Sequence, residues 1–212
     1  FAHVRLAECF RQGRGVEENA EEAMRHLRIA ADLGHPGAQY LLGVCLRHGV
    51  DIGWNPIEAV KYLRLAANQG DDDARHELAT CLEKGEGIKQ DAEEAVQLYR
   101  LAAEAGLPAA QYDLGRCLFG GIGVSKEIAE AVRWIEQAAE AGHAAAQRLY
   151  GYCLKQGEGV MVDRARAVHY FRLSAAQGDI EARFNLGLCY QKGDGVSADE
   201  SEAFRHFKLA AD

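Results

Sequence analysis

The sequence predicts an all-α protein, a right-handed α/α solenoid of six helix-turn-helix repeats that are each 36 residues long. All six cysteines of the 212-residue chain fall at this one interval, at Cys9, Cys45, Cys81, Cys117, Cys153 and Cys189. Alanine recurs at the same interval from Ala2 to Ala182, and again from Ala23 to Ala203. A helix pair of this length cannot bury its apolar side alone, so an unbroken period is typical of proteins that stack identical pairs.

Each period contains the pattern of two helices. In the second period Ala38, Leu42 and Leu46 lie one helical turn apart and form a single apolar stripe. Gly49 is expected to end this helix in a left-handed conformation, and Asn55 is expected to cap the start of the next. We therefore expect one continuous array with repeats at residues 1–34, 35–70, 71–106, 107–142, 143–178 and 179–212.

Two features depart from ideal repetition. Asp51 occupies the loop position that is glycine in the other repeats, so we expect the loop of the second repeat to have a different shape. The chain begins with Phe1 inside a predicted helix, and we expect it to be a piece of a longer protein.

Composition narrows the class of protein. The net charge of −8 argues against a nucleic-acid binder, which normally carries a basic excess. There is no run of 18 apolar residues, so no membrane-spanning segment is expected. Six unpaired thiols favour the cytoplasm or another reducing compartment. No nucleotide-binding loop, zinc-protease motif or serine-hydrolase motif occurs, and we expect neither enzymatic activity nor a cofactor.

Three segments carry a resemblance to a known family. The stretches "AQYLLGVCLRHGV", "AQYDLGRCLFGGIGV" and "ARFNLGLCYQKGDGV" are each followed by an "EA…AA..G" helix or its beginning. They resemble Sel1-like repeats, which are relatives of the tetratricopeptide repeat. The resemblance covers the whole chain and implies a non-enzymatic scaffold or adaptor that brings other proteins together.

The regular cysteines have four possible roles: a metal site, a disulfide ladder, a redox sensor or core packing. Equivalent positions in stacked helices lie roughly 8–10 Å apart, whereas a disulfide needs Cα atoms within about 7 Å. No CxxC or CxxH spacing supplies several zinc ligands around one point. We therefore expect the cysteines to be buried core residues, and we expect no metal.

A candidate binding face lies on the first helix of each repeat, opposite the buried stripe. The resemblance implies the same face, since tetratricopeptide repeats contact ligands at the matching positions of their concave groove. It contains seven basic and four acidic residues, in a chain that is acidic overall. The candidate partner-binding residues are Tyr40, Val44, Arg47, His76, Tyr112, Arg116, Phe119, Arg148, Tyr152, Lys155, Phe184 and Leu188. We expect the partner to be a protein or peptide segment with apolar anchors and acidic residues.

Two alternatives stay open. Tyr40, Tyr112 and Phe184 share one repeat position, and their rings could pack against a neighbouring repeat instead of a ligand. The protein could also be an assembly module that forms homo-oligomers, because the terminal repeats have the same apolar pattern as the inner ones. The side chains that such an assembly would cover are Leu6, Phe10, Phe204 and Phe207.

The second helices carry a regular charge pattern. One position is basic in five repeats, at Arg28, Arg64, Arg100, Arg172 and Lys208. Another is acidic in five repeats, at Glu22, Glu58, Glu94, Glu130 and Glu202. We expect solvated, ion-paired helix faces in which each pair contributes a few tenths of a kcal/mol.

Overall fold

The computed structural model describes residues 1–50 and 53–211, and over those residues its only regular elements are twelve helices. They are α1 (Ala2–Gln12), α2 (Ala20–Asp32), α3 (Pro36–His48), α4 (Pro56–Asn68), α5 (Asp72–Lys84), α6 (Ala92–Glu104), α7 (Pro108–Gly120), α8 (Ile128–Glu140), α9 (Ala144–Gln156), α10 (Arg164–Ala176), α11 (Ile180–Lys192) and α12 (Glu200–Ala211). The all-α prediction is confirmed. Asp51 lies outside the described residues, so the expected difference in the loop of the second repeat stays a prediction.

Local sequence signals set the ends of these helices. The Asn55 side chain accepts a hydrogen bond from the Glu58 amide at 3.2 Å, which caps α4 as expected. Gly49 follows α3 with φ of 69°, and its amide donates to the Cys45 carbonyl. This left-handed geometry costs glycine little and confirms the predicted end of α3.

The chain divides into two compact units, Phe1–Ala105 and Gly106–Asp212, which contain three repeats each. In the first unit each odd-numbered helix packs against the even-numbered helix that follows it, and each second helix packs against the next first helix. The second unit repeats this arrangement from α7 to α12. Each unit is therefore a solenoid-type stack of helix pairs.

The apolar core lies between successive repeats. In the first unit Leu42 and Leu46 of α3 join one buried cluster with Met24 and Leu27 of α2. In the second unit a larger cluster joins residues from α8 to α11 and includes the fully buried ring of Tyr150. Each helix pair thus buries its apolar side against its neighbour, as the period predicts.

Some inter-helix loops also contact the preceding repeat. A Cβ atom added at Gly87 would overlap the Pro56 carbonyl oxygen at the start of α4. At Gly195 an added Cβ would overlap the Arg164 carbonyl oxygen at the start of α10. These loop glycines allow one repeat to approach the backbone of the repeat before it.

The cysteines pack as the sequence predicts, with a gradient along the chain. Cys81, Cys117, Cys153 and Cys189 are buried, whereas Cys9 and Cys45 are half-buried, and all six are thiols. Burial raises the pKa of Cys81 to about 11, although the nearby Arg47 opposes the shift. Burial also raises the pKa of Cys153 to about 12. The deep thiols are therefore poor nucleophiles at neutral pH.

Alkylation should divide the thiols into two classes. At pH 8 we expect Cys81 and Cys153 to react with iodoacetamide on the order of a hundredfold more slowly than an ordinary thiol, because so little thiolate forms. Peptide mass spectrometry after short pulses measures each rate, and Cys9 is the half-buried reference. Equal rates for Cys81 and Cys9 in the folded protein would contradict this assignment.

Ion pairs on the second helices join successive repeats as well as neighbours within one helix. Arg28 pairs with Glu58 of the next repeat, 30 residues later, and Arg64 pairs with Glu94 at 2.7 Å. The expected pairs within a helix also occur. Arg25, for example, lies 2.8 Å from Glu22.

One inter-repeat pair has its charges exchanged. Glu136 occupies the position that is arginine at Arg28, and Arg166 occupies the position of Glu58. Their side chains pair across 3.6 Å between α8 and α10. The pair is kept because both positions change sign together. The matched exchange in the sequence therefore indicates that the two positions are in contact.

Candidate partner-binding face

The face predicted to bind a partner consists of three rows of side chains on the first helices. The upstream row is Tyr40, His76, Tyr112, Arg148 and Phe184. The central row is Val44, Thr80, Arg116, Tyr152 and Leu188. The downstream row is Arg47, Glu83, Phe119, Lys155 and Gln191. Members of one row recur every 36 residues, and the three rows follow each other at helical spacings of four and three residues.

In the second unit the upstream row contacts the start of the next first helix. The Tyr112 ring stacks on the ring of His143, the N-cap of α9, with centroids 4.9 Å apart. Arg148 Nε lies 3.0 Å from a carboxylate oxygen of Asp179, the N-cap of α11, and Arg148 Nη1 lies 2.6 Å from Glu181. Residues of this row therefore join neighbouring repeats to each other.

The upstream row of the first unit is also in contact with other protein groups. Tyr40 is half-buried, and its pKa is raised by burial first and then by the charges of Asp73 and Glu77 in α5. The His76 ring lies 5.6 Å from the Tyr99 ring of α6, measured between centroids. These contacts favour the packing interpretation for Tyr40 and Tyr112 over direct contact with a ligand.

Phe184 differs from Tyr40 and Tyr112 because it is 50% exposed. It lies on α11, the last first helix that the structure describes, and its ring centroid is 5.6 Å from that of Phe207 in α12. Its exposure thus reflects its place in the final repeat and is weak support for a ligand contact.

The downstream row is also engaged with protein groups. The Arg47 side chain is only 8% exposed; it pairs with Glu77 and lies 2.9 Å from Glu86 in the following loop. Lys155 Nζ lies 3.7 Å from Asp194, which occupies the same loop position in another repeat. Phe119 packs against the core cluster of the second unit.

Ion pairing reduces the basic character that the sequence predicts for this face. Burial alone would lower the pKa of Arg47, but the surrounding Cys81, Glu86 and Glu77 raise it overall. A buried arginine held by two carboxylates is not an open site for an acidic partner. Counting charges on one helix missed the acids that the next repeat supplies.

The central row contains one exposed side chain. Tyr152 is 40% exposed, whereas Val44, Thr80, Arg116 and Leu188 are half-buried. In the second unit the row presents a guanidinium from α7, a phenol ring from α9 and an aliphatic group from α11.

Arg116 and Thr80 of the central row each make a polar contact within their own repeat. Arg116 Nε lies 3.4 Å from Asp113, one turn earlier in α7. In the first unit the Thr80 hydroxyl donates to the His76 carbonyl and lies 3.1 Å from the Tyr99 hydroxyl. Thr80 therefore has structural contacts, and Arg116, Tyr152 and Leu188 form the better candidate surface.

Among residues 1–50 and 53–211, no group of three or more His, Cys, Asp or Glu side chains is arranged to hold a metal ion. No helix in this described part of the chain combines the length and apolar character needed to cross a bilayer.

Comparison with known proteins gives a consistent family assignment. The Sel1 repeat family matches six consecutive segments, at residues 1–35, 36–71, 72–107, 108–143, 144–179 and 180–212. A search of curated proteins found no significant match.

Solved structures resemble the chain over nearly all of its length. The c5321 protective antigen of uropathogenic Escherichia coli, which displays an SLR fold, is 31% identical with a TM-score of 0.90 over 99% of this chain. A Sel1 repeat protein from Oxalobacter formigenes is 33% identical with a TM-score of 0.87 over 99% of this chain. The chain spans 45% of the first and 60% of the second. Immunity protein PA5088 from Pseudomonas aeruginosa is 18% identical with a TM-score of 0.59; the match covers 99% of this chain and 79% of that one, and shows only a shared fold.

Proposed function

Because the chain belongs to the Sel1 repeat family, whose members are generally protein-interaction scaffolds, we propose that it is a non-enzymatic scaffold or adaptor. Its central row in the second unit binds a segment of another protein through Arg116, Tyr152 and Leu188. The observation that carries this proposal is the 40% exposure of Tyr152 on a face whose other two rows largely hold the repeats together.

The chemistry of the row fits a peptide segment. Tyrosine offers a large, rigid ring that loses little conformational entropy on binding, and aromatic and arginine side chains are enriched among interface hot spots. Tyr152 supplies the ring, Leu188 an apolar neighbour and Arg116 a donor for a partner carbonyl or carboxylate. An apolar anchor would pack on Tyr152 and exclude water from the polar contacts around it.

Acidic residues of the partner have one further candidate contact. Arg148 holds Asp179, whose side chain is 14% exposed, and Glu181, whose side chain is 72% exposed. A partner carboxylate would replace Glu181, because that side chain is mostly solvated and returns to water at little cost. The preference for acids is therefore expected to be weaker than the preference for an apolar anchor.

Selection of random displayed peptides on the wild-type chain tests this function. We expect the selected peptides to share an apolar anchor, and we expect Tyr152→Ser to raise their Kd at least tenfold in fluorescence anisotropy. Met161→Ser is the matched control, because Met161 is 88% exposed in a loop away from the row. Equal losses in both variants, or no loss in either, would reject the central row as the binding surface.

A second candidate function is self-assembly through the terminal repeats. Phe204 in α12, one of the apolar residues that such an assembly would cover, is 70% exposed. A reducing compartment stays a prediction from the six thiols.

A further inference from the structure

The open positions of the candidate face follow one another across the first helices of the second unit. On one side of the central row, the Tyr112 ring stacks on the ring of His143, with centroids 4.9 Å apart. On the other side, Lys155 Nζ lies 3.7 Å from Asp194 in the loop after α11. Side chains on both sides therefore connect neighbouring repeats, and the path that they leave for a ligand runs from α7 over α9 to α11.

The width of this path favours an extended ligand over a helical one. The flanking rows lie four residues before and three residues after the central row, which is about 6 Å and about 4.5 Å along the helix axis. An α-helix with its side chains is about 10–12 Å across, so it would lie over both flanking rows. The upstream row includes the ion pair of Arg148 with Asp179, whose atoms are 3.0 Å apart and whose side chains are 26% and 14% exposed. Displacing such a partly buried pair is costly.

The spacing of the first helices matches one kind of extended chain. Neighbouring packed helices lie roughly 8–10 Å apart, so the path offers one contact in each such interval. A polyproline II chain has three residues per turn and rises about 3.1 Å per residue, which returns a side chain to the same face about every 9.3 Å. In a β-strand the side chains of one face recur about every 6.7 Å, and they would soon lose register with the helices.

Arg116 on α7, Tyr152 on α9 and Leu188 on α11 follow each other in this order along the path. We infer that the partner segment binds in the polyproline II conformation and presents every third residue to these side chains. The presented residues are one acidic residue followed by two apolar residues, or the same series in the reverse chain direction. The acidic residue is at an end of the series because Arg116 is at an end of the three contacts. This inference rests on the proposed function and specifies the conformation and sequence pattern of the partner.

The chemistry of the three side chains fits such a segment. Polyproline II segments are preformed in solution and bind to aromatic side chains, and Tyr152 supplies a ring that is 40% exposed. The Arg116 side chain is 33% exposed and contacts Asp113 through Nε at 3.4 Å. Because a guanidinium has five N–H donors, a partner carboxylate can bind Arg116 together with Asp113. Leu188 is half-buried and adds an apolar contact at the other end.

Fluorescein-labelled synthetic peptides of three spacings test this inference. Each peptide contains one glutamate and then two leucines, separated by one, two or three prolines, and each is also made in the reverse order. Proline holds all of them near the polyproline II conformation. In fluorescence anisotropy we expect the two-proline spacing to bind at least tenfold more tightly than the other two, in one of the chain directions. Equal Kd values for the three spacings, or tightest binding at another spacing, would overturn the inference.

Arg116→Met tests the order of the series. We expect this variant to bind the two-proline peptide about fivefold more weakly than the wild-type chain does, because the contact with the glutamate is lost. A peptide with glutamine in place of the glutamate should bind both proteins equally. Arg133→Met is the matched control, since Arg133 is exposed on α8, a second helix. Equal losses in the two variants would overturn the assignment of the acidic residue to Arg116.

Failure of this inference can be distinguished from failure of the proposed function. The selected peptides can depend on Tyr152 while the three proline spacings bind equally or not at all. That result overturns the polyproline II pattern and leaves the central row as the binding surface. Selected and proline-spaced peptides whose Kd is unchanged by Tyr152→Ser would overturn both proposals. Circular dichroism of each variant controls for folding.

Discussion

Gly87→Ala should lower the free energy of unfolding by at least about 3 kcal/mol. Gly87 has φ of 72°, and its added Cβ would overlap the Pro56 carbonyl oxygen and lie 2.8 Å from the Ile57 amide nitrogen. Backbone atoms at the start of α4 cannot rotate away as a flexible side chain can. The loop must therefore move off the preceding repeat, and the contact between the two repeats weakens.

Gly15→Ala provides the matched control for this change. Gly15 has φ of 75°, but its added Cβ would meet nothing within 4 Å. Gly15→Ala should therefore lower the free energy of unfolding by only about 1–2 kcal/mol, the cost of placing alanine in a left-handed conformation. Urea denaturation followed by circular dichroism compares the two variants, and hydrogen exchange in α4 locates the loss. Equal losses would show that the close approach of neighbouring repeats contributes nothing to stability.

Arg47→Ala should have the second largest effect, a loss of about 2 kcal/mol or more in the free energy of unfolding. The substitution removes a side chain that is 8% exposed and leaves Glu77 and Glu86 without it, at 21% and 37% exposure of their side chains. Glu77 then loses its pairing with Arg47, and Glu86 keeps only its longer contact with Lys84 at 3.8 Å. Thermal and urea unfolding measure the loss.

Arg148→Ala is the comparison for Arg47→Ala. Arg148 also contacts two acids, but it is 26% exposed and Glu181 is 72% exposed, so its loss should cost about 1 kcal/mol or less. For peptide binding we expect the reverse order. Arg148→Ala should weaken it, whereas Arg47→Ala should not. Unchanged stability in Arg47→Ala with loss of peptide binding would return Arg47 to the binding surface.

The sequence predicts well those features that local contacts determine. The helix ends at Gly49 and Asn55 depend on neighbouring residues, so their residue types are sufficient. The buried stripe of Leu42 and Leu46 follows from helical spacing alone. The burial of four of the six cysteines follows from the same stripe, whereas Cys9 and Cys45 are half-buried.

The environment of the candidate binding face was harder to predict because many of its contacts cross between repeats. Arg47 meets Glu86 39 residues later, and Arg148 meets Asp179 31 residues later. When one helix is considered alone, these arginines are predicted to be exposed cations. Their acidic partners come from the next repeat in the stack. The compensating exchange at Glu136 and Arg166 shows that a comparison of equivalent positions can find contacts of this kind.

Phe184 illustrates the same limit for apolar residues. Its exposure suggests a ligand contact when the repeat is considered alone, whereas its equivalent Tyr112 is half-buried against His143 of the next repeat. The exposure of a side chain therefore indicates a ligand contact only where a following repeat is present and leaves that side chain uncovered. Phe184 is therefore not among the strongest candidates, whereas Tyr152 is, because it is exposed although a further repeat follows it.

The most direct test of the proposed function is a crystal structure of the chain with a peptide selected for binding. We expect an apolar side chain of the peptide to pack on the Tyr152 ring, with peptide polar groups at Arg116. A peptide bound instead along the second helices or in the inter-helix loops, with Tyr152 still in solvent, would contradict it.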